Sequence, residues 1–311
     1  MDSIDRKIVD YLAINCRIGL QELSKRTGVS AYEVKNRIDM LLKTDVIHNF
    51  AILLSPLITN EELSIAILDF DIVPKEKDIL KVLASNPSVW KCYRALEDKY
   101  VIFSFYFEQD ELSKLALMLR SLPGIGYVEM YSRFSRYWGG KLELTDVHKQ
   151  ILRCLIRNPR MSVADIAEMT SSETNTVIDS INLMRESETV LFTINASDYM
   201  KESKIEVLAK IQWNVGKTSQ EHVAKWLQDS FSDIYLREYV SVVEPTLFFN
   251  FTVNHVQEVE IVKSKTIESG LVSKITPLIL FPGTVIADPR VRNFEEVLTE
   301  TGFSSQNGLF S

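Results

Sequence analysis

The sequence matches itself at an offset of 143 residues, and this duplication limits the possible folds more than any other feature of the chain. Residues 4–41 align with residues 147–184 without a gap. An ungapped match of this length, with the apolar positions in phase, indicates a duplicated structural unit. The chain is also longer than one hydrophobic core usually allows, so we expect about two to four compact units. Identities between the copies include Ile8/Ile151, Leu12/Leu155, Asn15/Asn158, Arg17/Arg160, Thr27/Thr170, Val34/Val177 and Ile38/Ile181.

Each copy begins with the pattern of three short helices. In the first copy, apolar residues at helical spacing predict helices over about residues 4–15 and 20–27, and Gly28 suits a left-handed C-terminal cap. The third helix is predicted to begin at Ser30, because Ser30 and Glu33 have the spacing of a reciprocal capping box. Helix, glycine turn and helix is the helix-turn-helix pattern, and the run VIHNFAILLSP after it predicts a wing strand.

The periodicity changes after each set of three helices. Residues 63–138 predict the order strand, helix, strand, strand, helix, strand, and residues 205–286 repeat that order. This βαββαβ order is the ferredoxin-like plan, in which two helices cover one face of an antiparallel sheet. We therefore predict an α+β fold of two tandem copies, each a winged helix-turn-helix followed by a ferredoxin-like domain. The predicted boundaries are 1–50, 51–140 (including a hinge strand), 141–196, 197–287 and a C-terminal tail at 288–311.

This order of domains resembles the Lrp/AsnC family of leucine-responsive and asparagine-responsive transcription regulators, twice over. Members of that family join an N-terminal winged helix-turn-helix to a ferredoxin-like effector domain. The segment SPLI at residues 55–58 is similar to the proline-containing hinge that follows the wing in the family. The family-like recognition pattern S-x-x-x-V-x-x-R-I-x-x-L is met at Ser30, Val34, Arg37, Ile38 and Leu41.

The second copy departs from this recognition pattern. It keeps Val177 and Ile181, but it has Glu173, Ser180 and Met184 in place of the serine, the arginine and the leucine. An added carboxylate and a lost cation both disfavour contact with phosphates. We predict that the third helix of the first copy reads DNA and that its counterpart is structural or faces another protein.

The predicted recognition helix places its polar side chains away from its apolar face. Such side chains can reach a major groove, where asparagine can bond adenine, lysine can bond guanine or phosphate, and flanking cations can fix the register on the backbone. The alternative is that they form an ordinary solvated helix face. The candidate DNA-binding residues are Ser30, Tyr32, Lys35, Asn36, Arg37 and Lys43.

A second candidate site follows from the family resemblance. Effector domains of the family commonly carry a Gly-x-x-Asp segment at the entry to the third strand, where bound amino acids are contacted. The matching stretches here are LEDK and VVEP, which lack both the glycine and the aspartate. An amino-acid effector is therefore an open question. The candidate effector-binding residues are Glu97, Asp98, Lys99 and Tyr100.

Composition narrows the class of protein. The net charge is −7 and the pI is near 5.3, which counts against non-specific coating of nucleic acid but not against one basic reading helix. The N-terminus lacks an apolar signal region and no apolar run approaches the roughly 20 residues of a membrane span, so we expect a cytoplasmic protein. The three cysteines and four histidines show no metal-ligand spacing, and we expect reduced thiols, no metal and no cofactor.

Two other functions fit the same fold. One is a ligand-sensing or partner-binding protein whose helix-turn-helix units are both scaffolding. The other is an enzyme like the sirohaem decarboxylases, which resemble this family in fold and need a cavity lined by histidine and arginine. We expect double-stranded DNA and a small-molecule effector as partners, no membrane, and either a homo-oligomer (dimer) or an intrachain pseudo-dimer. A short amphipathic helix near residues 293–300 could dock on a neighbouring subunit. Candidate enzyme residues are Arg94, Arg133, Arg136 and His222.

Overall fold

The computed structural model describes residues 1–134, 139–196 and 204–287, together with Phe294 and Leu298. The chain divides into two compact units. The helix-turn-helix unit contains residues 1–60, 138–200 and 290–311, and the sheet unit contains residues 61–137 and 201–289. Each unit therefore combines one part from each copy of the repeat.

The first copy contains three helices, a wing strand, a short hinge helix and a βαββαβ segment. The last predicted strand extends to residue 138, and its end at residues 135–138 lies outside the described residues. The elements are α1 Ser3–Ile14, α2 Leu20–Thr27, α3 Ala31–Lys43, β1 Ile47–Leu54, α4 Pro56–Thr59, β2 Glu62–Phe70, α5 Glu76–Leu83, β3 Val89–Arg94, β4 Lys99–Tyr106, α6 Gln109–Arg120 and β5 Ile125–Ser132.

The second copy repeats this order except at the hinge helix, whose equivalent residues lie outside the described ranges, and it ends with a two-residue strand. Its elements are α7 Asp146–Arg157, α8 Val163–Thr170, α9 Thr174–Glu186, β6 Val190–Ala196, β7 Ile205–Trp213, α10 Gln220–Ser230, β8 Tyr235–Val240, β9 Thr246–Val253, α11 Val256–Glu268, β10 Val272–Leu280 and β11 Thr284–Val285. No described helix is long and apolar enough to cross a membrane.

Local capping residues set the ends of the first helices. Gly28 ends α2 with a φ of 77°, a left-handed conformation that glycine adopts without strain. Ser30 begins α3, and its hydroxyl accepts a hydrogen bond from the Glu33 amide at 3.1 Å. The reciprocal half of the predicted capping box is wrong, because the Glu33 carboxylate instead accepts a hydrogen bond from Arg37 Nε at 2.8 Å.

The wing strands of the two copies pair with each other. β1 and β6 form a two-stranded antiparallel sheet in which Phe50 lies opposite Ile194. The apolar faces of the helices of both copies, including Ile8 and Ile151, belong to one buried core. The helix-turn-helix unit is therefore a single body built from both copies.

Two arginines at equivalent repeat positions link the copies reciprocally. Arg17 donates hydrogen bonds to the carbonyl oxygens of Pro159 at 2.6 Å and Met161 at 2.9 Å. Arg160 donates to the carbonyl oxygens of Cys16 at 2.8 Å and Ile18 at 3.3 Å. This exchange explains the Arg17/Arg160 identity as a contact between the copies.

Both four-stranded segments of the sheet unit have ferredoxin-like topology. The first sheet has the order β5-β2-β4-β3, and the second has the order β10-β7-β9-β8. All pairings are antiparallel, and each order corresponds to strands 4-1-3-2 of the βαββαβ unit. The predicted fold class is confirmed. The small strand β11 of the second copy extends the first sheet beside β3.

Alternating side chains give each sheet two apolar faces. In β2, Ala66 and Leu68 pack with the helices of the first copy, whereas Ile65 and Ile67 lie in a layer shared with the second sheet. We call this shared layer the seam. It contains edge-to-face aromatic contacts such as that of Tyr131 with Phe248, whose ring centroids are 5.0 Å apart.

One ion pair in the seam joins the two copies. Lys210 Nζ on β7 donates to both carboxylate oxygens of Glu129 on β5, at 2.7 and 2.8 Å, and lies 3.2 Å from the Tyr131 hydroxyl. The Tyr131 hydroxyl donates to Glu129 at 2.6 Å. Burial alone would raise the pKa of Glu129, but the hydrogen bonds from Lys210 and Tyr131 hold that pKa below its usual value.

Two residues of the C-terminal segment pack against the helix-turn-helix unit of the same chain. Phe294 and Leu298, four residues apart in helical conformation, are buried in the core of the helix-turn-helix unit. Arg153 donates a hydrogen bond to the Leu298 carbonyl at 2.7 Å. The remainder of the helix predicted near residues 293–300 lies outside the described residues. Its two described apolar side chains pack within the chain rather than on a neighbouring subunit.

Candidate nucleic-acid interface

Helix α3 presents a polar face to solvent. Val34, Ile38 and Leu41 are buried against the other helices. This arrangement leaves Tyr32 74% exposed on the opposite side. The helix carries three cations and two carboxylates, a net charge of +1.

The candidate base-reading residues lie on this face. Lys35 is exposed, and its ammonium lies 3.7 Å from Asp39, which is also exposed. A long, exposed ion pair within one helix contributes little energy, so a phosphate or base edge can replace Asp39 as the partner of Lys35. Asn36 is half-buried beside Lys35, and Lys43 is exposed in the last turn.

Arg37 is bound to three carboxylates. Its Nη1 donates to Asp5 and to Asp2, each at 2.7 Å, and its Nε donates to Glu33 at 2.8 Å. The hydrogen bonds with Asp5, Asp2 and Glu33 raise the pKa of Arg37 above its ordinary value. These contacts fasten the start of α1 to α3. This role of Arg37 was not predicted from the sequence, although the acids at positions 2 and 5 are a signal of it.

The counterpart helix α9 has a different surface. Isoleucine, aspartate and glutamate occupy positions 178, 179 and 186, where α3 has Lys35, Asn36 and Lys43. Ile178 is 39% exposed and Leu183 is 47% exposed. The net charge of α9 is −1.

The Arg37 contacts have no equivalent in the second copy. Ser180 takes the place of Arg37 and is buried. Thr145 and His148 take the places of Asp2 and Asp5, and they form a capping box at the start of α7. The first copy alone therefore has the arginine anchored by carboxylates.

The predicted effector turn is closed by contacts among its own residues. Glu97 and Asp98 have left-handed φ angles of 59° and 56°, and Lys99 donates to Glu97 at 2.7 Å. Arg94 lies 3.5 Å from Asp98. Tyr100 is only 1% exposed and packs edge-on against Phe70 in the core beneath the first sheet, so its side chain is not accessible to a ligand. Ligand contact by Glu97, Asp98 and Lys99 stays a prediction.

Family models match both helical triads. An AsnC-type helix-turn-helix domain matches residues 1–42, and a winged helix-turn-helix DNA-binding domain matches residues 144–190. Both triads therefore carry helix-turn-helix domains, the first of AsnC type. The predicted resemblance to AsnC-type regulators is confirmed.

The curated relatives that this chain matches carry names of regulators. The chain is 40% identical over 84 residues to an uncharacterized HTH-type transcriptional regulator of Pyrococcus abyssi, a match covering 27% of this chain and 54% of that protein. It is 27% identical over 130 residues to the HTH-type transcriptional regulator FL11 of Pyrococcus horikoshii, covering 40% of this chain and 83% of that protein. The chain thus spans about half the length of the first relative.

The whole chain also has a structural likeness outside the regulators. The siroheme decarboxylase NirDL, solved with an iron-uroporphyrin III analogue, superposes with a TM-score of 0.58 over 96% of this chain and 99% of its own. The identity is 13%, so the likeness concerns the fold. It is consistent with the tandem arrangement of both domains.

Proposed function

We propose that this protein is a sequence-specific DNA-binding transcription regulator of the Lrp/AsnC type. The observation that carries the proposal is the exposed polar face of α3, with Lys35 and Lys43, on a helix-turn-helix that matches the AsnC-type model. Helices of this kind enter the major groove and read base edges with exposed polar side chains. Tyr32, Lys35 and Asn36 are placed to read bases, and Ser30 and Lys43 to contact the phosphate backbone.

Arg37 has a supporting role in this proposal. A guanidinium that already binds three carboxylates must give up those partners before it can bind a phosphate. It therefore acts by holding α1 against α3 so that α3 keeps its exposed face outward. Helix α9 is acidic and apolar at the same positions, so we assign DNA reading to one helix per chain.

We further propose that the sheet unit supplies the pairing function of the protein. Its two sheets pack face to face through the seam, as two subunits of a dimer would. The chain is thus an intrachain pseudo-dimer, and a small molecule bound in the sheet unit would act as effector. Association of two such chains would provide two α3 helices for a two-part operator.

The test is retention of fragments of the source genome at two salt concentrations. We expect wild type to retain a selective set, and Lys35→Ala with Lys43→Ala to lose about 100-fold in affinity and about two units of the salt slope. Both side chains are exposed and leave the Arg37 contacts intact. Arg185→Ala with Asn182→Ala on α9 is the matched control and should bind like wild type. Equal losses in both variants would contradict the assignment of the reading helix.

A tetrapyrrole enzyme is the second candidate, because the NirDL likeness covers almost the whole chain. The side chains of the sheet unit support it less. The two histidines of the sheet unit, His222 and His255, are exposed at the starts of helices, and aromatic rings pack in the seam. Arg94 is exposed beside Asp98, and Arg136 lies outside the described residues.

Anaerobic addition of sirohaem tests this candidate. The regulator proposal predicts that the absorption spectrum of the added sirohaem is unchanged. It also predicts that mass spectrometry detects no loss of carboxylates from the sirohaem. A shifted Soret band with decarboxylated product would establish the enzyme. The same preparation is also tested for retention of genome fragments. Retention shows that the protein is active, so an unchanged sirohaem spectrum then supports the regulator proposal.

A further inference from the structure

The two sheets of the sheet unit end in edge strands that differ in how well they resist further pairing. A strand at an edge leaves backbone donors and acceptors unpaired, and proteins hinder pairing there with short strands, charges or proline. Three edges have such features: β11 is two residues long, β8 carries Arg237 and Glu238, and β10 carries Lys274 and Pro277. The fourth edge strand, β5, is eight residues long and contains no lysine, arginine or proline.

We propose that β5 pairs with β5 of a second copy of the chain in antiparallel orientation. The first sheets of two chains then form one continuous sheet, held by hydrogen bonds between the two backbones. This pairing rests on the proposed function for its role in DNA reading, since it brings two α3 helices into one assembly. The contact itself depends only on the backbone of β5 and requires no DNA.

The backbone groups of β5 alternate between β2 and the open edge. Among the described strands, only β2 pairs with β5. The Asp71 amide donates to the Gly124 carbonyl at 2.9 Å, so the odd-numbered residues of β2 bond towards β5, and their partners on β5 are also odd-numbered. The amides and carbonyls of Val128 and Met130 therefore point away from β2, towards the open edge.

The second copy has a proline where β5 has Met130. Met130 lies opposite Ala66, and Pro277 lies opposite Ala209. The two alanines are 143 residues apart, which is the offset of the repeat, so the two edge positions are equivalent. Proline lacks an amide hydrogen and cannot donate to an added strand.

The direction of the backbone at Pro277 agrees with this comparison. The Ile279 carbonyl accepts a hydrogen bond from the Leu96 amide at 3.1 Å, on the side of β10 that faces away from β7. Pro277 lies two residues earlier and points the same way. The outward position that is blocked in β10 therefore carries a free donor site in β5, the amide of Met130.

The charge on β5 does not prevent the pairing. Glu129 is the only charged residue of the strand, and Lys210 Nζ donates to both of its carboxylate oxygens, at 2.7 and 2.8 Å. Its backbone bonds towards β2, because it is an odd-numbered residue. An added strand therefore meets the outward backbone of Val128 and Met130.

Symmetry limits the register of the pairing. Two identical antiparallel strands are related by a two-fold axis, which near the middle of β5 can pass through Val128, Glu129 or Met130. An axis at Glu129 would place two carboxylates directly opposite each other, which destabilises a sheet. The axis therefore lies at Val128 or Met130. In both registers, the Met130 amides of the two chains donate across the contact.

Sedimentation equilibrium and amide hydrogen exchange on the full chain, without DNA, test the proposal. We expect monomers and dimers in an equilibrium that depends on protein concentration. As the dimer forms, the amides of Val128 and Met130 should exchange about 10-fold more slowly or less, whereas those of Glu129 and Tyr131, which already bond to β2, should keep their rates. A wild-type chain that stays monomeric, or a dimer without this protection, would overturn the proposal.

A proline variant tests the contribution of the outward amide. Met130→Pro removes one donor from each chain and should weaken the dimer about 10-fold or more. The second copy accommodates proline at the equivalent position of β10. Met130→Leu keeps the amide and an apolar side chain, so it is the matched control and should dimerise like wild type. Circular dichroism checks folding, and a folded Met130→Pro that dimerises like wild type would contradict the pairing. The exchange measurement on wild type decides the question even if this variant does not fold.

Retention of genome fragments separates this inference from the proposed function. Pairing at β5 in a chain that retains no fragment would contradict the regulator and leave the pairing established. Selective retention by a chain without protection at Val128 and Met130 would contradict the pairing and leave the regulator supported.

Discussion

Replacement of Glu129 by alanine is expected to lower the free energy of unfolding of the sheet unit by about 3 kcal/mol. The Lys210 side chain is only 13% exposed, and it would lose both carboxylate oxygens at once. The Tyr131 hydroxyl would lose its acceptor as well. Urea unfolding followed by tryptophan fluorescence measures the effect, because Trp90, Trp213 and Trp226 all belong to the sheet unit.

The matched control removes both charges. Glu129→Ala combined with Lys210→Met should recover most of the lost stability, since apolar groups of similar volume often replace a buried ion pair at little cost. The equivalent positions in the other copy support this expectation, because Ile67 of the first copy corresponds to Lys210 and Thr276 of the second copy corresponds to Glu129. A double variant as unstable as the single one would contradict the assignment of the loss to an unpaired lysine.

The second large effect is expected at the reciprocal arginines. Arg17→Leu removes two charge-assisted hydrogen bonds and leaves the carbonyl oxygens of Pro159 and Met161 without their donors. We expect the helix-turn-helix unit to lose about 3 kcal/mol of its free energy of unfolding. Arg160→Leu should cost a comparable amount, because its contacts mirror those of Arg17.

Hydrogen exchange distinguishes a loss of stability in the helix-turn-helix unit from a loss in the sheet unit. Amides of β1 and β6 should exchange faster in either variant, while amides of the sheet unit keep their protection. Arg26→Leu serves as control, since the contacts of Arg26 with described residues are an exposed pair with Glu22 and a ring contact with Tyr11. If Arg17→Leu left the exchange of β1 and β6 unchanged, the two arginines would not hold the copies together.

Periodicity was sufficient to predict the fold. The apolar spacing of residues 4–41 predicted the helices, and the change to strand periodicity predicted both βαββαβ segments. Because the ferredoxin-like plan has one strand order, the element order also fixed the sheet topology. The Gly28 cap followed from the conformational freedom of glycine.

Periodicity could not predict contacts between residues that are far apart in the chain. Periodicity gives the face of a helix on which a residue lies but not its partner, so Arg37 was assigned to DNA although it binds Asp2 and Asp5. Tyr100 was a candidate effector contact because it follows the stretch LEDK, yet its strand places the ring beneath the sheet.

The pairing of Lys210 with Glu129 has a consequence for how such a protein can diverge. In a dimer of identical chains, every substitution appears twice, so the interface must be complementary to itself. A lysine placed at the position of both Ile67 and Lys210 would bring two cations into the buried layer. Joining the copies in one chain removes that constraint, because each position can change without its counterpart. The fused chain can therefore give its two halves opposite charges and different tasks, which a symmetric dimer cannot do.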